Sequence, residues 1–460
     1  MGRVRTFLAE HGRLGRGTAG LIMLAGFARV DITPDPACEE VYGLGYWDRR
    51  SIRFAGVRDP LFVRAGVLGT GSEAIVLVSV DALIDAYGFS RRAAARVARE
   101  WGVSVDRVWI ACTHAHSTPV IELNRTRRGE AYGRRVEDGI VAAARAAVGR
   151  RCEVSASLSE SRLPEVLYNR RPLLANGKVA ELHVTPDPAL IADPGRVDDR
   201  LALIQFRDST GEPVGAWCHF GIHGVCVQCS ELISGDCMGR ALARVEQEMG
   251  DGAAVVFFNG TCGDVDPAAM GHDAALEATA AAMHGALSDL LRRPGPPMTL
   301  TPVRCAAGVY AARRRRTRSE ADLDKAVAAV VADDPAEPAR HHSGAAYERF
   351  LLEEERLLAR LAETVDVGYQ VWQTGDIIWV GIEGEVFTES GLALAEAFKP
   401  HRLLVTGYTG GWLGYLPPRE AYDQGGYEVA PSLWSRLAPG ETEALLGELR
   451  LVVTDVISTQ

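Results

Sequence analysis

Short continuous runs of apolar residues recur along this chain and alternate with segments of helical pattern; the clearest lie at residues 74–80, 253–258 and 377–382. A strand that is apolar on both faces is typical of a sheet covered by helices. The 460 residues can bury a large core, and no linker or short-period repeat divides them. We therefore predict an α/β fold with one large domain of mixed β-sheets flanked by helices.

The boundaries of that domain follow from where the pattern starts and where charge accumulates. Residues 1–26 are expected to form a loose N-terminal extension, and residues 27–460 the single domain. Within it, the charged segment 319–364 predicts a helical arm that folds as a surface hairpin. Ser90 is expected to cap a helix, and the apolar residues 451–453 predict a final strand.

Charge and composition exclude several classes of binding partner. A formal net charge of −10 argues against a nucleic-acid backbone as ligand, because such binding needs basic surfaces. No window has the roughly 18 consecutive apolar residues of a membrane helix, so no integral membrane segment is expected. The apolar patch at residues 21–25 is shorter than a normal signal core, so a cytoplasmic location is expected. Nine cysteines, an odd number, favour reduced thiols over a disulfide framework. A homo-oligomer is compatible with this composition.

Two histidines close one of the predicted strands. His114 and His116 follow an apolar run, and Pro119 ends the stretch. Residues i and i+2 of a strand share a face, so both imidazoles can address one point in space. In isolation, a pair of polar residues satisfied by water at a strand end explains this pattern equally well.

Other strand ends carry further candidate ligands. Together with His114 they are His223, Glu385 and Tyr415, spread over about 300 residues. Two imidazoles and one carboxylate form a common catalytic zinc set, which leaves a coordination position for water or substrate. The sequence therefore suggests one zinc ion per chain, although no short metal-binding motif supports it.

Cysteines provide the competing metal site. Cys226 and Cys229 form a CxxC pair, with Cys218 and Cys237 nearby, but a second CxxC at suitable spacing is missing. Small buried cysteines explain the pattern better than structural zinc. His219 lies inside a strand pattern and is interpreted as a core histidine. The chain has no GxSxG motif that would indicate a serine nucleophile.

Three aspartates also lie at the ends of strands or loops near these motifs. They are Asp81, Asp236 and Asp264. We interpret them as carboxylates that hold loops and histidine tautomers rather than as reacting groups.

Nine segments, taken in order, resemble the catalytic domain of the neutral/alkaline non-lysosomal ceramidase family. They are FARVDITPD (27–35), RDPLFVRA (58–65), VSVDAL (78–83), THAHSTP (113–119), NRRP (169–172), HGVCVQCSELISGD (223–236), FFNGTCGDVDP (257–267), GIEGEVFTESG (381–391) and GYLPPREAYDQGGYE (414–428). The resemblance implies that family's catalytic fold and a single zinc ion that activates water to cleave an amide.

Roles for individual residues follow from the same resemblance. The family's zinc ligands fall on His114, His223, Glu385 and Tyr415 of this chain. His116 corresponds to a histidine that orients or protonates the reacting group, and Arg170 to an arginine near the substrate. Tyr415 and His116 would also stabilise the oxyanion of a tetrahedral intermediate.

The chain departs from the family at several positions. Asp266 replaces a family serine, Trp412 stands at a position usually held by tyrosine, and Gly410 replaces an asparagine. A carboxylate at 266 could act as general base or bind a cationic group of the substrate. The family's C-terminal immunoglobulin-like module and a secretion signal are not recognised, which favours a smaller, more polar amide over ceramide.

The sequence is compatible with three functions. The first is zinc-dependent hydrolysis of a linear N-acyl bond in a small or lipid-like amide, with Asp266 or His116 moving the proton. The second keeps the zinc site for ester or lactone hydrolysis, or for closing an amide or lactam. The third is a non-catalytic binding scaffold.

Overall fold

The computed structural model describes residues 23–44, 51–86, 88–121, 127–182, 186–301, 303–330 and 344–458, with no side chains described for 127–130. Three mixed β-sheets follow one another along the chain, and helices cover their outer faces. This arrangement confirms the predicted α/β fold class.

The first sheet is built from the N-terminal third of the chain. Its strands are β1 (Leu24–Asp31), β2 (Phe62–Leu68), β3 (Ile75–Val80), β4 (Val108–Cys112) and β5 (Cys152–Glu153). They lie in the order β4-β3-β2-β1-β5, and β3 and β4 are parallel while the other neighbours are antiparallel.

The second and third sheets repeat this plan. The second contains β6 (Ser155–Arg162), β7 (Arg200–Arg207), β8 (Pro213–Phe220), β9 (Val255–Asn259) and β10 (Pro297–Met298), in the order β9-β8-β7-β6-β10. The third contains β11 (Val303–Arg313), β12 (Thr364–Thr374), β13 (Ile377–Ile382) and β14 (Arg402–Thr406), in that order. Strands β7 and β8 are antiparallel and form a hairpin.

Each sheet has one parallel pair of strands at an edge. These pairs are β3–β4, β8–β9 and β13–β14. Polar groups at the carboxyl end of a parallel pair lie at the same edge of the sheet, and ligands bind preferentially at such edges. The fold therefore provides three edges from which loops can reach a common site.

Short ladders join these loops. Those nearest the candidate site pair Leu167–Asn169 with Val265–Pro267, and Glu385–Val386 with Tyr415–Leu416. The remainder pair Tyr42–Gly43 with Ile52–Arg53, Gly56–Val57 with Leu232–Ile233, and Leu173–Leu174 with Ile191–Asp193. The parallel pairing of Glu385 with Tyr415 brings two candidate ligands into adjacent positions.

The helices cover the sheets in the order of the chain. They are α1 (Phe89–Trp101), α2 (Arg127–Gly149), α3 (Asp236–Met249), α4 (Asp273–Arg292), α5 (Glu320–Ala329), α6 (Gly344–Ala359), α7 (Thr388–Glu396), α8 (Arg419–Gln424) and α9 (Glu441–Ser458). Helices α1 and α2 contact the first sheet, α3 and α4 the second, and α7 and α9 the third. No helix in the described part of the chain is long and apolar enough to cross a membrane.

An aromatic core lies where the inner faces of the three sheets meet. Trp109 of β4, Trp217 of β8, and Trp372 and Trp379 of the third sheet are all almost fully buried. Trp372 stacks on Trp379 with ring centroids 5.2 Å apart and meets Trp217 edge-on at 5.4 Å. Burial of such large apolar rings ties the three sheets together.

Two predicted local features are wrong. Residues 451–453 are part of α9, because Leu449, Val452, Val453 and Val456 recur at helical spacing and pack on the third sheet; the apolar run alone suggested a strand. Ser90 is not a cap but lies inside α1, whose first amides donate instead to the carboxylate of Asp85.

The N-terminal boundary and the arm are only partly described. β1 begins at Leu24, so residues 24–26 of the predicted extension belong to the first sheet, while residues 1–22 lie outside the described part. Within 319–364, α5 and α6 pack on each other through Leu323 and Leu352. The connection between them, including Pro335 and Pro338, lies outside the described residues.

Candidate metal centre

The candidate ligands come from all three sheets. His114 follows β4, His223 follows β8, and Glu385 follows β13, each within three residues of the strand end. All three side chains are buried. The parallel edge strands therefore bring together groups that are far apart in sequence.

His114 is held by the loops of the first sheet. It has a positive φ of 63°, and its backbone N–H donates to the carbonyl of Ala82. The ring Nδ1–H donates to the carbonyl of Leu83 at 2.9 Å, so Nε2 is the nitrogen with the lone pair. That Nε2 lies 3.5 Å from Oε2 of Glu385.

Gly224 makes the approach of the His114 loop to the His223 loop feasible. A Cβ at this position would lie 2.7 Å from both the His114 carbonyl oxygen and the Cα of Ala115. Such distances are shorter than van der Waals contact, so a residue without a side chain is required here.

His223 is oriented in the same way by the second sheet. Its Nδ1 donates to the carbonyl of Cys262 at 2.7 Å, and the carbonyl of Val265 lies 3.2 Å away. Its Nε2 lies 3.3 Å from Oε2 of Glu385 and makes no hydrogen bond to any part of the chain that the structure describes. An unsatisfied buried ring nitrogen of this kind is the expected state of a metal ligand.

Glu385 is held by two aromatic donors. The indole N–H of Trp412 donates to Oε1 at 2.9 Å, and the hydroxyl of Tyr408 lies 3.4 Å from Oε2. Burial raises the pKa of Glu385, but the facing imidazoles outweigh it and hold the pKa at about 2. The carboxylate is therefore ionised, as a metal ligand must be.

The two imidazoles respond differently to this carboxylate. Burial, opposed by Glu385, lowers the pKa of His114 to about 3. Burial and Arg170 lower the pKa of His223, but the contacts with Cys262 and with the Glu385 carboxylate prevail and raise it to about 10. Without a cation, one proton is thus shared by the group, and cation binding would release it.

The spacing of these atoms fits a tetrahedral ion. Zinc binds nitrogen and oxygen ligands at about 2.0–2.2 Å, which gives a tetrahedron with edges of about 3.3–3.6 Å. Glu385 Oε2 lies 3.5 Å from one histidine Nε2 and 3.3 Å from the other. Donor type, burial and spacing all fit zinc.

His116 lies beside this set and is less buried. Its Nε2 is 3.4 Å from Nε2 of His114, and the ligand nitrogens of His114, His116 and His223 all lie within 4.8 Å of one another. His116 is therefore close enough to contact an ion at this point or a group bound to it.

Tyr415 and Arg170 form the next layer. The Tyr415 hydroxyl accepts from Nη2 of Arg170 at 2.9 Å. Burial and the Glu385 carboxylate raise the pKa of Tyr415 well above its usual value, so the phenol stays protonated. Because that hydroxyl accepts from Arg170, its own proton remains available to donate.

Asp266 lies behind this layer. Its Oδ1 accepts from Nη1 of Arg170 at 2.9 Å and lies 4.0 Å from Nδ1 of His223, the ring nitrogen that faces away from Glu385. These contacts favour an ion-pairing role over action as a general base at the metal. Glu428 provides a second carboxylate for Arg170, at 2.8 Å.

The three aspartates interpreted as structural hold loops. Asp81 binds Arg64 and the Phe62 amide, and Asp264 binds both the amide and the hydroxyl of Thr388. Asp236 accepts from the amides of Cys226, Val227 and Cys237. The histidine tautomers are instead fixed by backbone carbonyls.

The other candidate ligands from the sequence are not part of this centre. His219 is a core residue, as expected, and its Nε2 donates to the Val405 carbonyl at 2.9 Å. Cys226, Cys237 and Asp236 form a second group of candidate ligands within 4.8 Å of one another. The hydrogen bond between the two thiols lowers the pKa of Cys226 and raises that of Cys237, and burial raises both. The net shift is upward for each, so neither is a ready thiolate.

Tyr408 and Glu428 also belong to this site and were not predicted from the sequence. Tyr408 stacks on the His114 ring with centroids 4.0 Å apart, and it follows β14 as the other site residues follow their strands. The strand-end pattern could therefore have identified it. Glu428 has no comparable signal, because its role depends on contacts with Arg170 and Arg171.

A cavity of about 330 Å³ lies next to the loop that carries Tyr408 and is separate from the ligand cluster. Ile110, Thr409 and Glu383 are among its lining residues. Arg91 also lines it and binds the Glu383 carboxylate. The cavity therefore already contains a satisfied ion pair.

Comparison with known proteins assigns the family. The sequence profile described as "Neutral/alkaline non-lysosomal ceramidase, N-terminal" matches residues 23–286, more than half of the chain, and the chain belongs to this family. No curated protein sequence matches it.

Two solved structures share the fold. The neutral ceramidase of Pseudomonas aeruginosa superposes with a TM-score of 0.69 at 16% identity, covering 94% of this chain and 74% of that one. A ceramidase complexed with C2 superposes with a TM-score of 0.68 at 18% identity, covering 93% and 74%.

Proposed function

We propose that this member of the neutral/alkaline non-lysosomal ceramidase family is a zinc-dependent hydrolase that cleaves a linear amide bond. The observation that carries the proposal is the distance from Glu385 Oε2 to Nε2 of His114 and to Nε2 of His223, both at the edge length of a zinc tetrahedron. Family membership supports the amide as the bond that is cleaved.

His114, His223 and Glu385 would hold the ion, with Tyr415 adjacent through its pairing with Glu385. Zinc, when bound, supplies an acidified water molecule and polarises the carbonyl of the amide. The backbone carbonyls at Nδ1 keep both rings in the required tautomer before the ion arrives.

His116 is proposed to move the proton. It borders the ligand cluster and is more exposed than His114 and His223, so it can reach both attacking water and leaving nitrogen. It would take a proton from the water and give one to the nitrogen as the C–N bond breaks. The products are a carboxylate and an ammonium ion, which together account for the amide and one water.

Tyr415 is proposed to donate to the oxygen of the carbonyl as negative charge develops on it. Its proton is free for this purpose because Arg170 donates to the phenol oxygen. Asp266 and Glu428 hold Arg170 in place and balance its charge. Asp266 is thus a positioning residue in this proposal.

The substrate is proposed to be a small or lipid-like N-acyl compound. The neutral ceramidase named among the structural neighbours supports an acyl amide in general.

No disulfide forms among the nine cysteines, all of which lie in the described residues; this supports the cytoplasm as the proposed location.

A substrate panel tests the proposal. Zinc-loaded protein is incubated with N-acyl amides and with lactones of matched acyl length, and carboxylate release is measured. We expect release from amides, loss of that release in His114→Ala, and full activity in the control His284→Ala, which alters a surface histidine of α4. Turnover of lactones alone would contradict amide cleavage and favour the ester or lactone reaction.

A further inference from the structure

Arg436 lies beside the candidate metal centre without a carboxylate partner. Among the residues that the structure describes, its side chain makes one hydrogen bond, from Nε to the Leu433 carbonyl at 2.6 Å, and no ion pair. The side chain is partly buried. A cation withdrawn from water is normally paired, so the absence of a partner calls for an explanation.

The position of Arg436 is fixed by the segment that also fixes Tyr415. The Tyr415 amide donates to the Trp434 carbonyl at 2.7 Å, so residues 433–436 run alongside residues 412–415. Gly414 permits this approach, because a Cβ there would collide with the Trp434 carbonyl. Arg436 is therefore placed by the same contact that positions a proposed catalytic residue.

The guanidinium lies over Trp412. Its Cζ is 5.9 Å from the centroid of the indole, and the indole N–H donates to Oε1 of Glu385. One indole thus separates Arg436 from a proposed zinc ligand. The Nε bond orients the guanidinium, and its two terminal nitrogens have no hydrogen-bond partner among the described residues, so they can form a fork for a carboxylate or phosphonate.

A second arginine strengthens the positive potential here. The Arg315 amide donates to the Arg436 carbonyl, and within the described residues the Arg315 guanidinium donates to two neutral oxygens, at Val429 and Ser435. Burial lowers the pKa of both guanidiniums. Glu354 reaches the same turn, but there its carboxylate accepts the Leu433 amide.

We propose that Arg436 binds an anionic group of the substrate, so that the enzyme cleaves N-acyl compounds carrying a carboxylate or a phosphonate rather than neutral amides. This inference rests on the proposed amide hydrolysis and specifies its substrate class. Ceramide itself has no such charge. The anion would occupy the terminal nitrogens of Arg436 while the amide lies at the zinc site across Trp412.

The test compares amides of one acyl length. N-decanoylglycine carries a carboxylate, N-decanoyl-aminomethylphosphonate a phosphonate, and N-decanoylethanolamine no charge. The kcat/KM of each is measured with zinc-loaded wild type, Arg436→Gln and the control Arg244→Gln, which alters a surface arginine of α3. The ratio of charged to neutral substrate is the readout, because a general loss of stability or zinc leaves that ratio unchanged.

We expect wild type and Arg244→Gln to favour one charged substrate over the neutral one by about 10- to 100-fold, the range for hydrogen bonds to a charged group. Arg436→Gln should remove most of that preference. The stronger charged substrate identifies the anion as carboxylate or phosphonate. A ratio that is the same in wild type and Arg436→Gln overturns the role of Arg436 while leaving amide hydrolysis intact. Absence of cleavage of all three by zinc-loaded wild type overturns the proposed function as well.

Discussion

At the scale of single residues, the orientation of two imidazoles carries most of the chemistry. His114 and His223 each place Nδ1 on a backbone carbonyl and Nε2 toward the same carboxylate oxygen. His219 also binds a carbonyl, but through Nε2 and with no acidic partner in hydrogen-bond contact within the described structure. A buried histidine of this protein is thus a candidate metal ligand only where the ring nitrogen that is not bonded to a backbone carbonyl lies next to a second candidate ligand atom.

Removal of a ligand should remove the ion. We expect Glu385→Ala to lower zinc affinity by more than about 100-fold, since partners outside the ligand shell alone are worth 10- to 100-fold. Zinc content after dialysis, measured by elemental analysis, checks this. His116→Ala serves as the comparison and should retain zinc while losing turnover. Equal zinc loss in both variants would make His116 a ligand.

The Tyr415 hydroxyl should matter for turnover and not for folding. Tyr415→Phe removes the proposed donor to the carbonyl oxygen, and loss of one such donor costs about 10²–10³ in kcat. Steady-state kinetics with an N-acyl amide gives the value. An unchanged kcat would exclude Tyr415 from oxyanion stabilisation.

Asp266 should act through Arg170. In Asp266→Asn the amide can still accept from Arg170, but the balancing charge is lost. We expect zinc to be retained and kcat to fall by about 10-fold or more, within the range for groups behind a metal site. Kinetics identical to wild type would remove Asp266 from the mechanism.

At the scale of elements, β8 contains a buried neutral histidine that ties stability to pH. Burial lowers the pKa of His219 below its ordinary value near 6.5. Below pH 6.5 the unfolded chain therefore takes up a proton at this residue that the folded chain does not. The stabilisation is complete above that pH and declines as pH falls toward the folded pKa.

This linkage predicts a loss of up to about 1 kcal/mol in unfolding free energy from His219 between pH 7 and pH 5.5. Urea denaturation at the two pH values measures it. His219→Gln, which can still donate to the Val405 carbonyl, should show a pH dependence shallower by that amount. The same slope in both proteins would show that folding does not shift the pKa of His219.

The elements were predictable where a local pattern determines them. Strand β13 and helix α4 appear in the sequence because burial on both faces, or on one helical face, leaves a local record. The prediction of a strand at 451–453 was wrong, because a short apolar run has the same local pattern in a strand and in a buried helix. The longer window from Leu449 to Val456 shows the helical spacing.

The candidate ligands could be named from sequence because each is a distinctive residue at a strand end. The groups that orient them could not. The carbonyls of Leu83 and Cys262 fix both tautomers, and any residue type provides a carbonyl. Arg436 has no signal in the sequence for another reason: it stands out because it has no ion-pair partner among the described residues, and only the folded structure shows this.

At the scale of the whole molecule, three sheets with similar strand order bring their parallel edges to one point. Each sheet delivers one candidate ligand there, and the four buried tryptophans join the inner faces of the sheets behind it. A core of this kind is close-packed, so it holds the three loops in fixed relative positions. The candidate metal centre is therefore a product of the complete fold.

Anomalous diffraction at the zinc absorption edge, from crystals of the full chain grown with zinc, tests this account most directly. We predict one strong peak at coordination distance from His114 Nε2, His223 Nε2 and the Glu385 carboxylate. The absence of a peak at that point, or a dominant peak at Cys226 and Cys237, would contradict it.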